Sequence, residues 1–522
     1  MSITRPLTRT LLLTCPAILL GIAVASAASA GRATLKADPA KQTQRQTRRR
    51  AVPAPTPTPS EADRRHQRLV QEGERASRSA PPSPTPSVPP NNGIQQLPID
   101  TTVERRLTKE GAQAVSDAPT PPPPPPTSPP PPPCPFIKGM KTASLVKAFP
   151  EVTWHVCVTD MGLKGLWVGP VHLRRTTASP WMWVLYQAGL AEIFVPYHRE
   201  GNNTGFRPYD LRWTSALDQV TAQDAGSNGS LITLTNESVP TVVAEVRERG
   251  AAWLCKQTTM QTRRAEEFLV WGVIDGGNYD NIIQYGFRDD GAMTFRLGNT
   301  GYNAPDFPDE EHMHNGLWRV DMDLNGSGGD TAWWHEHFEP VPSSPPFRRA
   351  ADKKSPFNGG VEGGLKWNAV RFSSLLIEDA ANNVYGHKLG YEFTLQQPGT
   401  SRHFEPVFDA WTQNDFYVTL YHPNEFAWSP TWTPPAPMPP AWLAPYQYLP
   451  PFLNGEAVSN RDLVVWIKTS AHHDPIDEDR SANDPGTSGI TGVTLIHWSG
   501  FNVEPHNLFN TNPLGAPVKC GP

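Results

Sequence analysis

The chain has 522 residues and a formal net charge of −5, with an isoelectric point near 6.3. That balance offers no basic surface for nucleic acid, and no nucleic-acid partner is expected. Its 58 prolines are about twice the usual share and sit mostly near the front and in one late loop, while 17 tryptophans point to a large core built of sheets.

Residues 1–30 read as a signal peptide: Arg5 and Arg9, an apolar run from Leu11 to Val24, then Ala25-Ser26-Ala27 and Ala28-Ser29-Ala30. The run is short for a membrane span and contains Pro16, so stable membrane insertion is not expected and the protein reads as secreted or periplasmic. Export permits disulfides, and Cys134, Cys157, Cys255 and Cys520 allow three pairings. Cys134 with Cys520 is favoured, because the two bracket the folded region. Residues 31–133 are basic, then Pro-rich, and read as a disordered linker or stalk with a short helix around Ala62–Arg78.

The domain at 134–522 is punctuated by Gly, Asn and Asp between short apolar runs, and amphipathic helices are scarce. Strands are predicted at Val152–Val158, Gly165–Leu173, Trp181–Tyr186, Glu192–Val195, Leu231–Leu234, Trp253–Gln257 and Glu266–Ile274. An alternating run continues from Tyr279 to Phe295; later strands are predicted at Asp415–Tyr421, from Asn460 to His473, and at Gly489–Trp498. The fold class is therefore all-β, a large antiparallel β-sandwich.

Within it, His312 and His314 stand at i and i+2 and share one face of a strand, which makes half of a metal site. Asn315-Gly316 is a hairpin signal: either the chain reverses there and Arg319 to Asp323 form a return strand, or one continuous strand carries a bulge at Gly316. Asp321 and Asp323 share a face opposite Val320, Met322 and Leu324. Upstream, Tyr279 lies between Asn278 and Asp280; downstream comes His473-Asp474-Pro475-Ile476-Asp477-Glu478-Asp479.

These three separated stretches resemble the signatures of the copper amine oxidases that carry topaquinone. The resemblance covers about Val146 to Pro513 and corresponds to the family's catalytic domain alone. It implies that Tyr279, flanked by Asn278, is oxidised to topaquinone beside Cu(II). His312, His314 and His473 would hold the copper, with His472 the competitor for the third place. Leu190–Tyr197 resembles the family segment ending in Pro-Tyr, which makes Tyr197 the tyrosine that hydrogen-bonds the quinone.

Asp210 stands where the family has its catalytic base, although the family's following Gly-Glu-Tyr is replaced by Leu211-Arg212-Trp213. Asp224 is the rival base, and the family's gate tyrosine aligns with Pro208. A peripheral Ca2+ site would use Asp321, Asp323 and Asp462 with the carbonyls of Met322 and Leu463. The implied reaction takes a primary amine and O2 to an aldehyde, ammonia and hydrogen peroxide, in a homodimer. Two alternatives stand beside it. One is a non-catalytic copper-binding β-sandwich of the same descent; the other is a zinc-type metallohydrolase, which the lack of alternating helices disfavours.

Overall fold

The structure is a computed structural model. It describes residues 94–97, 130–135, 140–176, 179–197, 207–209, 214–256, 260–303, 310–338, 351–397, 410–425, 449, 452–480 and 492–515. All of these lie in a compact unit spanning Ser79–Pro522. The signal-peptide stretch, the Ala62–Arg78 helix, Asp210 and Cys520 fall outside the described residues.

Two antiparallel sheets carry the fold. The first has ten strands among the described residues. In spatial order they are Ile94–Leu97, Lys141–Ala148, Thr153–Asp160, Leu166–Arg174, Met182–Tyr197, His312–Met322, Leu463–His473, Phe416–Leu420 and Gly363–Leu365, with Arg207–Tyr209 paired to the end of Met182–Tyr197. The second has eleven: Ala351–Pro356, Asp330–Phe338, Ser373–Asn382, Lys388–Leu395, His497–His506, Met293–Gly301, Tyr279–Arg288, Gln261–Asp275, Val242–Cys255 and Gly229–Ile232, with Ser459–Arg461 paired to Asp330–Phe338. The expected all-β sandwich is the observed architecture.

Aromatic side chains lock the sheets face to face. Trp318, from the first sheet, meets Tyr285, Phe295 and Phe501 of the second edge-on, each at a ring separation of 5.9 Å. Such pairs contribute about 0.5–1.5 kcal/mol each beyond the area they bury. Hydrogen bonds also cross the layer, among them those from the Tyr285 hydroxyl to the Leu166 carbonyl at 2.6 Å and from the Trp154 indole to the Arg288 carbonyl at 2.8 Å.

Several strand boundaries differ from expectation. Trp181–Tyr186 and Glu192–Val195 are parts of one strand, Met182–Tyr197. Gly189 within it is no turn; a Cβ there would lie 2.1 Å from the Trp167 ring of the neighbouring strand, so glycine lets the indole pack. Asn315-Gly316 makes no hairpin either, because His312–Met322 is continuous. A Cβ on Gly316 would come within 2.8 Å of Leu297, so its role is close packing between sheets, while Asn315 donates to the Phe194 carbonyl and accepts from Ser470.

The last strand is His497–His506, later than the predicted Gly489–Trp498. Its register is set by Phe501 stacking on Phe295 at 4.7 Å, and Val493 and Leu495 stay exposed. Four residues of the segment expected as a stalk, Ile94–Leu97, pair with Ser144–Lys147 at the sheet edge.

The cysteine pairing also needs correction. Cys134 bonds Cys157, with Cα atoms 5.7 Å apart, and not Cys520. Cys157 lies in a strand whose neighbours bring it beside the domain's first residues, a proximity no spacing reveals. Cys255 is disulfide-bonded as well.

Candidate metal and cofactor site

The site forms where a strand of each sheet faces the other. In the first sheet, His312 pairs directly with His473 across the ladder. His314 lies two residues on and so projects from the same face. The ligand nitrogens of these three buried imidazoles lie within 4.8 Å of one another. His312 Nε2 and His314 Nε2 are 3.1 Å apart.

From the second sheet, Tyr279 inserts its hydroxyl among them, 3.2 Å from His312 Nε2 and 2.5 Å from His473 Nδ1. The same hydroxyl donates to Asn303 Oδ1 at 3.1 Å.

Outer hydrogen bonds select which nitrogens point inward. His312 Nδ1 faces the Glu310 carbonyl at 2.9 Å. A carbonyl only accepts, so Nδ1 carries the proton and Nε2 presents a lone pair. His473 Nε2 faces Asp479 Oδ2 at 3.3 Å, which turns its Nδ1 lone pair to the centre. Burial holds all three imidazoles neutral: His312 is lowered to about 3, His314 falls well below the usual range, and His473 is lowered. Burial first, and then the adjacent Tyr197, raises the Tyr279 phenol. Three neutral nitrogen donors and a phenol aimed at one point fit a Cu(II)-type ion, which supplies the positive charge the pocket lacks.

His472 and His473 differ in their surroundings: the His472 side chain is 50% exposed and pairs with Glu311, whereas that of His473 is 1% exposed. Tyr197 is buried and stacks on His312 at 4.3 Å between ring centres. Asn278 Nδ2 reaches the Tyr197 hydroxyl at 3.4 Å and donates to the Tyr302 carbonyl at 2.7 Å.

A family model described as "Copper amine oxidase, enzyme domain" matches residues 248–517. The chain belongs to the copper amine oxidase family. A porcine (Sus scrofa) "Diamine oxidase [copper-containing]" is 24% identical over 267 residues, covering 46% of this chain and 33% of the relative. "Primary amine oxidase 2" of Arabidopsis thaliana is 21% identical over 381 residues, covering 63% and 52% respectively. The chain thus spans a third to about half of the length of these relatives. Among solved structures, the Aspergillus nidulans amine oxidase superposes with a TM-score of 0.52 at 19% identity, covering 70% of this chain and 52% of that one. A copper-containing benzylamine oxidase from Hansenula polymorpha gives 0.52 at 15%, covering 71% and 62%. At these identities the likeness concerns the fold.

Of the two carboxylates weighed as the base of a copper amine oxidase, Asp210 lies outside the described residues. Asp224 is exposed and its Oδ2 accepts from the backbone and hydroxyl of Thr221, both at 2.7 Å, which makes it a helix cap.

The acidic cluster forms as expected: Asp321, Asp323 and Asp462 bring carboxylate oxygens within 4.8 Å of one another. Met322 pairs with Leu463 in the ladder that joins the two strands. Asp321 also pairs with buried Arg319 at 3.0 Å. Burial first and then neighbouring carboxylates push Asp323 up to about 7, while burial, opposed by Arg319, leaves Asp321 at about 6.

Three neighbours escaped the sequence reading. Asp330 is fully buried, both its oxygens lack a hydrogen-bond partner, and burial and Asp379 push it up to about 9. Asn303 holds the Tyr279 hydroxyl, and the ring of His497 lies 4.9 Å from that of His473. None stands in a recognisable motif; each is brought in by its strand's place in the sandwich.

Proposed function

We propose that the protein is a copper-dependent primary amine oxidase that converts a primary amine, water and O2 to an aldehyde, ammonia and hydrogen peroxide. The observation that carries this reading is the Tyr279 hydroxyl of one sheet, aimed among three neutral imidazoles of the other. His312, His314 and His473 would hold copper, which would promote oxidation of Tyr279 by O2 to topaquinone, and the quinone would supply the electrophilic carbonyl the amine needs.

The chain's own groups do the rest. Tyr197, which Asn278 hydrogen-bonds, stacks on His312 beside the Tyr279 phenol, and Asp479 and the Glu310 carbonyl keep the ligand lone pairs inward. Asp210 is the proposed proton acceptor. It directly follows Arg207–Tyr209, which pairs with Val195–Tyr197 and so shares a sheet edge with Tyr197.

We further propose that Asp321, Asp323 and Asp462, with the carbonyls of Met322 and Leu463, hold a Ca2+ ion. The orphaned oxygens of Asp323, Asp330 and Asp462 support a hard cation there. Export through the 1–30 signal and a homodimeric state complete the proposal. Among the described residues no helix is long and apolar enough to cross a membrane.

The test is optical. Copper-loaded protein should show a visible quinone band that a primary amine bleaches without oxygen, with peroxide released when oxygen returns. Colour without bleaching would favour a copper-binding β-sandwich that has lost turnover, the reading motivated by the missing Gly-Glu-Tyr.

A further inference from the structure

A second His-x-His stands on the strand Asp330–Phe338, on the opposite face from the core. Trp334 points inward and packs on Phe416 at 5.8 Å. By strand alternation His335 and His337 point out. Their rings are 3.9 Å apart between centres. His337 pairs directly with Asp352 of one neighbouring strand, and His335 with Ser374 of the other. Glu392 reaches in from the next strand beyond.

The contacts converge. His335 Nδ1 lies 3.1 Å from Glu392 Oε1, and His337 Nε2 lies 3.4 Å from the same oxygen. His337 Nδ1 lies 2.9 Å from Asp352 Oδ1. The Ser374 hydroxyl also donates to Glu392 Oε1. Ligand atoms of His335, His337 and Asp352 all fall within 4.8 Å of one another.

We propose that His335, His337 and Asp352 form a second transition-metal site, selective for a borderline divalent ion such as Zn(II), with Glu392 as the outer carboxylate that holds the two imidazoles. Charge and proton count favour this. A neutral imidazole has one N–H, yet both ring nitrogens of His337 face carboxylate oxygens, so one lone pair opposes an anion. A divalent ion between His337 Nδ1 and Asp352 turns that repulsion into a bond and leaves the Nε2 proton to Glu392.

The spacing suits such an ion. Ligand atoms held at about 2.0–2.2 Å in a tetrahedron lie about 3.4 Å from each other, inside the 4.8 Å within which the atoms of His335, His337 and Asp352 fall. Two imidazoles with carboxylates are a zinc-type donor set, whereas the all-oxygen cluster at Asp321 suits a hard cation.

Nearby cations are engaged elsewhere: Lys354 pairs with Glu378 and lies over Trp333, and Arg371 pairs with Glu336 at 2.9 Å. The site also opens on a surface cleft of about 710 Å3 lined by His337, Phe372, Glu392 and Asn502, so an ion can enter from solvent. It shares no residue with the copper centre.

The experiment uses the full chain without a histidine tag, copper-loaded and in excess calcium so that both other sites are filled. Zinc is titrated calorimetrically into wild type, a His335→Ala/His337→Ala double variant, and Asp352→Asn, whose side chain is 64% exposed and tolerant of change. One further equivalent of zinc should bind wild type, with affinity at least about tenfold weaker in both variants while copper content and quinone colour stay the same. Equal zinc stoichiometry and affinity in all three proteins, or no zinc beyond the filled sites, would overturn the proposal and leave a hydrogen-bonded cluster only.

Discussion

The hydroxyl of Tyr279 lies 3.2 Å from Nε2 of His312, although the two residues belong to different sheets. Their strands share no hydrogen-bonded ladder. The contact exists because Trp318, further along the His312 strand, seats among Tyr285, Phe295 and Phe501 and fixes the spacing of the layers. The tryptophan packing and the metal site are two ends of one interface.

Replacing Tyr279 by Phe removes only the hydroxyl that enters this cluster. The variant should retain copper, measured by atomic absorption, but show no quinone band and no amine-dependent peroxide. Amine turnover in Tyr279→Phe would refute its role as cofactor precursor.

His473→Ala should abolish copper retention and cofactor formation together, because it deletes the nitrogen that Asp479 aims at the centre. His472→Ala should be mild, since that side chain is half exposed. Metal content and colour measured on both variants rank them directly, and the opposite ranking would move the third ligand to His472.

Asp210→Asn should form the quinone yet lose turnover by at least about a hundredfold, the contribution of a positioned general base. Steady-state peroxide assays measure this. A rate near wild type would return the search to another carboxylate, with Asp224 already committed to capping Thr221.

The carboxylate cluster predicts a calcium-linked pH dependence. Asp330 is raised from 3.8 to about 9 by burial and by Asp379. Between those two values the folded, cation-free protein keeps a proton that the unfolded chain has released. Stability contributed by that site is therefore progressively lost as pH rises through the window. Calcium-free protein should melt at a lower temperature at pH 8 than at pH 5, and added calcium should restore more at pH 8. Asp330→Asn should shrink the calcium-free difference; an unchanged difference would place the effect elsewhere.

What the sequence determined by itself rests on short-range rules. Period-two alternation puts His312 and His314 on one face whatever the rest of the chain does, and the motif around Tyr279 and the register of His473 relative to Pro475 and Asp479 need no tertiary information. Only the tertiary structure decided what depends on which strands meet. It made Gly189 and Gly316 packing sites for Trp167 and Leu297, and ruled out a hairpin at Gly316. It paired Cys134 with Cys157. It also drew Asp330 to the acidic cluster and Glu392 to His335 and His337. Strand order and sheet stacking are set by burial summed over the whole sandwich. Contacts between residues distant in the chain therefore leave no local pattern to read.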